Sequence, residues 1–368
     1  MREVRLRRLM SGPGPEPDRI ALLSIWFHGH NNPRYAELLP RLGRVDAALL
    51  RLPDARIPRG VGFRLFAATK PLLLRGALTP AARRYTNLLT LDFEQLAHWR
   101  GRAVMDADDP FFAARELALL QRPALQAYVV TAEHAARRYE ALGVEKPWVV
   151  IPQGVNLTAA TPELRAAAAR RKRPGELAVG WMAAHLLTAG DRGSENPLYN
   201  VDHMLDLWER IRAQVPAARL WLVGGASDRL AGRLRGRDDV ELLGRLPRER
   251  ALAAAACFDV ALYPRTADQG IRAAKISEFI GLGVPTVSYD YEVTANLRET
   301  GAGVLVPDAR AFVEAVVRLL TDDAARREIA EAAVRAGRAL DWDVLARRFE
   351  SEVLDRYLPP LRADGQGG

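Results

Sequence analysis

The chain of 368 residues has a single cysteine, Cys257, so no internal disulfide can form. That fits a reducing compartment. Cys257 lies in Ala-Ala-Ala-Ala-Cys-Phe-Asp-Val, where a small buried hydrophobe is expected. No apolar run approaches the roughly 18 residues of a membrane-spanning helix. The basic start, Met1-Arg-Glu-Val-Arg-Leu-Arg-Arg8, is not followed by an apolar stretch. Residues 12–17 therefore read as a flexible leader and not as a signal peptide. The expected location is the cytoplasm, with peripheral contact at the inner face of a membrane as the extension. Metal-ligand spacings are missing too. His28 and His30 share one extended segment and point to opposite sides, without a Cys or Glu cluster nearby. No metal and no cofactor are expected. No Gly-x-Gly-x-x-Gly follows an apolar run, so a dinucleotide site has no motif. The usual nucleic-acid modules are also missing, since there is neither an aromatic RNP-like strand nor a dense basic helix. No nucleic-acid partner is expected.

A hydrophobic fraction of 49% is enough for sizeable cores, and the length suits two or three domains. The net charge of +8 calls for a phosphorylated or polyanionic partner, or an anionic membrane surface. Apolar runs alternate with helical patterns from end to end, which predicts parallel sheets. Expected strands begin at Ile20–Trp26, Val45–Leu50, Asn87–Leu91, Ala103–Met105, Ala127–Thr131 and Pro147. An Ala/Arg/Pro-rich linker with one short helix spans residues 158–175, and the alternation then restarts at Leu177–Met182. A long polar loop is expected over 183–199. Val201, Met204, Leu205, Trp208, Ile211 and Val215 fall on one face of a helix. A final helix should carry Leu345, Phe349, Val353 and Tyr357 on one side, and residues 361–368 read as a polar tail. Residues 61–85 mix leucines and phenylalanines with Arg64, Lys70, Arg75, Arg83 and Arg84. Such a segment suits an anionic membrane interface. The plainer reading is a domain helix with arginines on its wet face.

Three stretches carry candidate chemistry. The first apolar run ends in Phe27-His-Gly-His-Asn-Asn-Pro-Arg-Tyr35, a polar loop placed where open α/β sheets bind ligands. His28, His30 and Asn31 are acceptor-side candidates, and Gly29 would admit a ligand close to the backbone. The second is Asp106-Ala-Asp-Asp-Pro110, at a strand end. Asp106 or Asp109 is the candidate general base, although an aspartate before Pro110 is also a good helix start. The third runs from Tyr263 to Ser288. Arg272, Lys275 and Glu278 fall at spacings of three on one helical face, after a loop with Arg265, Gln269, Gly270 and Ile271. A helix start with two cations and a carboxylate can take a diphosphate and a diol together. On spacing alone, a solvated Lys275–Glu278 surface pair is the simpler account.

Taken in order, these blocks resemble a known family. Tyr128-Val-Val-Thr…Val150-Ile-Pro-Gln-Gly-Val-Asn156 is similar to the segment closing the first domain of the "group 1" glycosyltransferases. Arg219-Leu-Trp-Leu-Val-Gly-Gly225, Val240-Glu-Leu-Leu-Gly-Arg-Leu-Pro247, Asp259-Val-Ala-Leu-Tyr-Pro264 and Lys275-Ile-Ser-Glu-Phe-Ile-Gly-Leu-Gly-Val-Pro-Thr-Val-Ser288 resemble successive blocks of that family's donor domain. The resemblance implies a GT-B fold: α/β, with two Rossmann-like doubly wound domains facing across a cleft. It implies an acceptor-side domain at 1–157, with helix 342–358 packing back onto it, and a donor domain at 158–341. It implies transfer of a sugar, of the hexosyl class, from a nucleotide-diphosphate sugar to a glycan, lipid-linked or small-molecule acceptor, as in cell-envelope or polysaccharide biosynthesis.

Under this resemblance Glu278 would bind the ribose and Lys275 the diphosphate, with Gly224, Arg265, Gln269, Gly270, Ile271 and Arg272 around them. Two departures stand out. The family's sugar-facing glutamate falls on Gly270, and a basic pair usual after the first donor-domain strand is replaced by Met182-Ala-Ala-His-Leu. Arg192 is a further basic residue in reach by sequence. A GT-B isomerase of the nucleotide-sugar epimerase kind and a non-catalytic GT-B-like binding subunit remain open. Retention and inversion also remain open.

Overall fold

The computed structural model describes residues 18–26, 33–51, 59–195, 200–265 and 274–360. The chain divides into two compact units, residues 1–152 with 342–368, and residues 153–341.

Unit 1 holds a six-stranded sheet of β1 (Ile20–Trp26), β2 (Val45–Arg51), β3 (Asn87–Thr90), β4 (Arg102–Ala107), β5 (Leu125–Val130) and β6 (Trp148–Val150). Its order is β2-β1-β3-β4-β5-β6, and every pairing is parallel. The apolar runs explain this placement. Ile20, Ala21, Leu22 and Leu23 are all fully buried, so both faces of β1 are covered, as a central parallel strand requires. One face packs on Leu74, Leu78 and Ala81 of the Arg59–Ala81 helix. The other receives Leu38 together with Trp342, Leu345, Phe349, Val353 and Leu354 from the C-terminal helix.

That last helix departs from the expected spacing. Residues Phe349–Leu354 form a π-helical segment. The wider turn rotates the buried stripe, so Leu354 and Leu358 are buried and Tyr357 is only half-buried.

Unit 2 repeats the plan with β7 (Leu177–Leu186), β8 (Ala218–Ala226), β9 (Val240–Gly244), β10 (Val260–Tyr263), β11 (Thr286–Tyr289) and β12 (Gly303–Val306). The order is β12-β11-β10-β7-β8-β9, again all parallel. Read from β9, this is the order of a dinucleotide-type doubly wound sheet, and it reverses between β7 and β10. The Asp202–Gln214 helix buries Met204, Leu205, Trp208 and Ile211 against it. Each such side chain contributes about 1.5–3 kcal/mol of burial.

β7 runs four residues further than the sequence suggests, to Leu186, through an irregularity between Met182 and His185. Gly224 makes room for it. A Cβ there would lie 2.2 Å from the Ala183 carbonyl oxygen. The long polar loop expected over 183–199 therefore starts later. Cys257 is half-buried, not buried, and burial raises its thiol pKa.

Candidate functional site

In a doubly wound sheet the crevice lies beyond the carboxyl ends of the strands where their order reverses. In unit 2 that point is between β7 and β10. Trp181, midway along β7, stacks on Tyr263, the last residue of β10, with ring centroids 5.9 Å apart and planes at 23°. Arg265 follows one proline later and is only 3% exposed. The Ala274–Leu282 helix starts beside them, and its first turn carries Lys275.

The Lys275 ammonium lies over the Trp181 ring, 5.5 Å from its centroid, a distance suited to a cation–π contact. It forms no ion pair among the described residues. Burial pulls its pKa down from 10.5 to about 8; Glu278 favours the charged form, and the nearby Arg265 opposes it.

Glu278 is one turn further on and 5% exposed. Burial raises its carboxyl pKa, against the opposing pull of Arg248 and Lys275. Its Oε1 receives the Arg248 guanidinium at 2.9 Å. Arg248 opens the Arg248–Ala255 helix after β9. The solvated Lys275–Glu278 surface pair is thus not what forms. Glu278 is buried with a different partner, and Lys275 has no ion pair among the described residues. Arg248 and Trp181 were not apparent as site residues in the sequence, and Tyr263 stood only as the start of its stretch. Only the strand order brings them to this place, because Arg248 precedes Glu278 by thirty residues.

Chemically, this is a desolvated cation beside an aromatic shelf and a buried carboxylate. A bound anion would stabilise the charge on Lys275, and the free valences of Glu278 can accept from hydroxyls. Of the other donor-side candidates, Gly224 has the packing role given above. Gly29, Gln269, Gly270, Ile271 and Arg272 lie outside the described residues. So do His28, His30 and Asn31. Arg192 is exposed.

In unit 1 the two candidate bases part company. Asp106, at the end of β4, is 1% exposed. Its Oδ2 accepts from Arg34 Nε at 2.9 Å and from the Tyr35 hydroxyl at 2.5 Å. Arg34 also donates to the Pro152 carbonyl at 2.9 Å and lies 5.8 Å from the centre of the Trp342 ring. Burial works against the Arg34 charge, yet Asp106 raises its pKa further. The Tyr35 phenol is raised by burial and then by the same carboxylate. Asp106, one of the two candidate bases, is thus held by side chains of its own unit. Loss of either charge would leave the other buried and unpaired, which gives this pair a structural role. Asp109 is exposed, and its carboxyl has no partner among the described residues. Crowding by surrounding protein raises its pKa above 3.8, the direction a base needs.

Residues 184–322 match the family model described as "Glycosyl transferases group 1". Among solved structures, sucrose-phosphate synthase from Thermosynechococcus elongatus is 18% identical, with a TM-score of 0.66 over 92% of this chain and 99% of that one. The HepE protein of Anabaena, solved with UDP and glucose, is 15% identical, with a TM-score of 0.66 over 92% and 100%. WaaG, a glycosyltransferase involved in lipopolysaccharide biosynthesis, is 13% identical, with a TM-score of 0.63 over 92% and 100%. At these identities the likeness establishes the fold: two Rossmann-like domains, as in GT-B glycosyltransferases. No curated protein sequence matches the chain.

Proposed function

We propose, from the premise that residues 184–322 are a group 1 glycosyltransferase domain, that the chain transfers a sugar from a nucleotide-diphosphate sugar to an acceptor hydroxyl. The observation that carries this reading is Lys275, a desolvated lysine at the strand-order reversal of unit 2, without an ion pair among the described residues and beside a buried Glu278. Structures of the same fold solved with UDP and glucose support a nucleotide-sugar as the ligand.

In this reading Lys275 and Arg265 face the diphosphate, and Glu278 accepts from the ribose hydroxyls. The bond between the anomeric carbon and the diphosphate oxygen breaks, and its electron pair leaves with the nucleoside diphosphate. The acceptor oxygen forms the new bond to the anomeric carbon. Negative charge grows on the leaving diphosphate, so fixed cations there lower the barrier. These side chains supply the positive charge, and we read the transfer as metal-independent on that basis. The acceptor proton goes to Asp109 in an inverting reaction, or to the departing phosphate in a retaining one. The donor class we favour is a hexosyl nucleotide. The acceptors we favour are glycan or lipid-linked, in line with WaaG.

The test is a panel of UDP-, GDP- and TDP-sugars incubated with the protein, with and without glycan and lipid-linked acceptors. Release of nucleoside diphosphate that depends on an acceptor, with a matching glycosylated product by mass spectrometry, is the expected result. Interconversion of the sugar without an acceptor would instead establish an isomerase. Nucleotide binding without turnover across the panel would establish a binding subunit.

A further inference from the structure

A second basic site lies at the opposite edge of the unit 1 sheet. Thr86 immediately precedes β3, Gly101 precedes β4, and Arg122 lies three residues before β5. They line a cavity of about 660 Å³ together with Arg75, Arg83, Arg100 and His98. This is the amino-terminal edge of the strands. Asp106 and Asp109 are at the other end of β4, six residues or roughly 20 Å away. The floor is set by backbone. A Cβ on Gly101 would lie 2.2 Å from the Thr86 carbonyl oxygen, and Arg102 N–H donates to that oxygen at 2.9 Å.

Four guanidinium groups surround this cavity, and no carboxylate lines it. None of the four has an ion pair among the described residues. Several other arginines of unit 1 are paired. Arg115 reaches Glu94 at 2.6 Å, Arg137 reaches Glu133 at 3.0 Å, and Arg41 reaches Asp343 at 2.5 Å. All four residues are exposed, so water screens part of their mutual repulsion, and an anion bound between them would relieve the remainder. Guanidinium forks match phosphate oxygens in charge and geometry.

We propose that this cavity binds a phosphate-bearing ligand, at a site separate from that of the sugar donor. One further feature bears on where the phosphate comes from. Leu72 is 72% exposed and Leu73 41% exposed. Leu72 lies three residues before Arg75, on the same side of the Arg59–Ala81 helix. A free phosphorylated molecule would use the arginines alone. A lipid headgroup would use the arginines while its acyl chains meet these leucines.

The test pairs two probes with two variants, all in a Lys275→Ala background so that pyrophosphate does not report on the donor site. The pocket variant is Arg83→Ala with Arg122→Ala. The control is Arg137→Ala with Arg310→Ala, which removes the same charge from exposed helix faces. Inorganic pyrophosphate is titrated calorimetrically at low salt. Vesicles of phosphatidylcholine with phosphatidic acid, and of phosphatidylcholine alone, are tested by co-sedimentation. Binding weakened at least about tenfold in the pocket variant, and unchanged in the control, is the expected result. Seen with pyrophosphate, it assigns a free ligand. Seen only with acidic vesicles, it assigns a lipid headgroup. Failure of both probes to bind, or equal loss in the pocket variant and the control, overturns the site. None of these outcomes depends on whether the protein transfers sugar.

Discussion

Lys275→Met removes a charge that the folded protein holds under strain, and it should do so in two directions at once. The fall of the Lys275 pKa from 10.5 to about 8 comes from burial. At about 1.4 kcal/mol per pH unit, that caps the cost of the buried charge at about 3 kcal/mol. Part of the side chain still reaches solvent, which reduces the figure to roughly 2 kcal/mol. The sign follows from linkage. Below pH 8 the lysine is charged both folded and unfolded, and the folded state bears the full cost. Between about pH 8 and 10.5 the folded amine is neutral while the unfolded one still binds a proton, so stability rises with pH across that window. Methionine keeps the apolar stem and discards the charge. The ligand-free variant should therefore melt higher than wild type at pH 7, by about 4–8 °C, and lose the rise in stability above pH 8. Nucleotide affinity should move the other way. Wild-type affinity for the nucleoside diphosphate should decline above pH 8, by up to about tenfold per pH unit, while the variant binds weakly with no such slope. Thermal melts and calorimetric titrations from pH 7 to 9.5 measure both. A variant that melts no higher than wild type and binds nucleotide as tightly, with the same pH slope, would refute the reasoning.

Three further outcomes follow. Asp106→Asn breaks the charge balance with buried Arg34 and should cost about 3 kcal/mol of stability. Asp109→Asn should leave melting unchanged and slow an inverting transfer by about 10²–10⁴-fold. The reverse assignment of stability and rate between these two variants would make Asp106 the base. Gly180→Ala places a Cβ 1.9 Å from the Phe258 ring, and should destabilise unit 2 by about 1–3 kcal/mol. Unchanged melting there would contradict the close packing of β7 on Phe258.

Much of the fold was legible in the chain itself. Continuous apolar runs such as Ile20–Leu23 and Val260–Tyr263 can only be strands covered on both faces, and their alternation with helical patterns dictates parallel sheets. Two features were not legible because they depend on contacts distant in sequence. The end of β7 contains exposed His185 and hides its pairing with β8, which needs Gly224 to admit the Ala183 carbonyl. The π-helical segment at Phe349–Leu354 answers to the surface it packs on and leaves no spacing signal. The site was half legible. Helical spacing put Lys275 and Glu278 on one face, but it could not show that Glu278 pairs with Arg248, or that Trp181 and Tyr263 provide an apolar shelf. The partners of Asp106 were hidden for the same reason, since Arg34 and Tyr35 come some seventy residues earlier.

The central claim is that Lys275 and Glu278 hold the nucleotide-diphosphate sugar. The most direct measurement is calorimetric titration of UDP-glucose and GDP-mannose, with UDP and GDP, into wild-type, Lys275→Ala and Glu278→Ala proteins at pH 7. The account predicts saturable wild-type binding of one nucleotide series, weakened at least about tenfold in each variant. Equal affinity in all three proteins would contradict it.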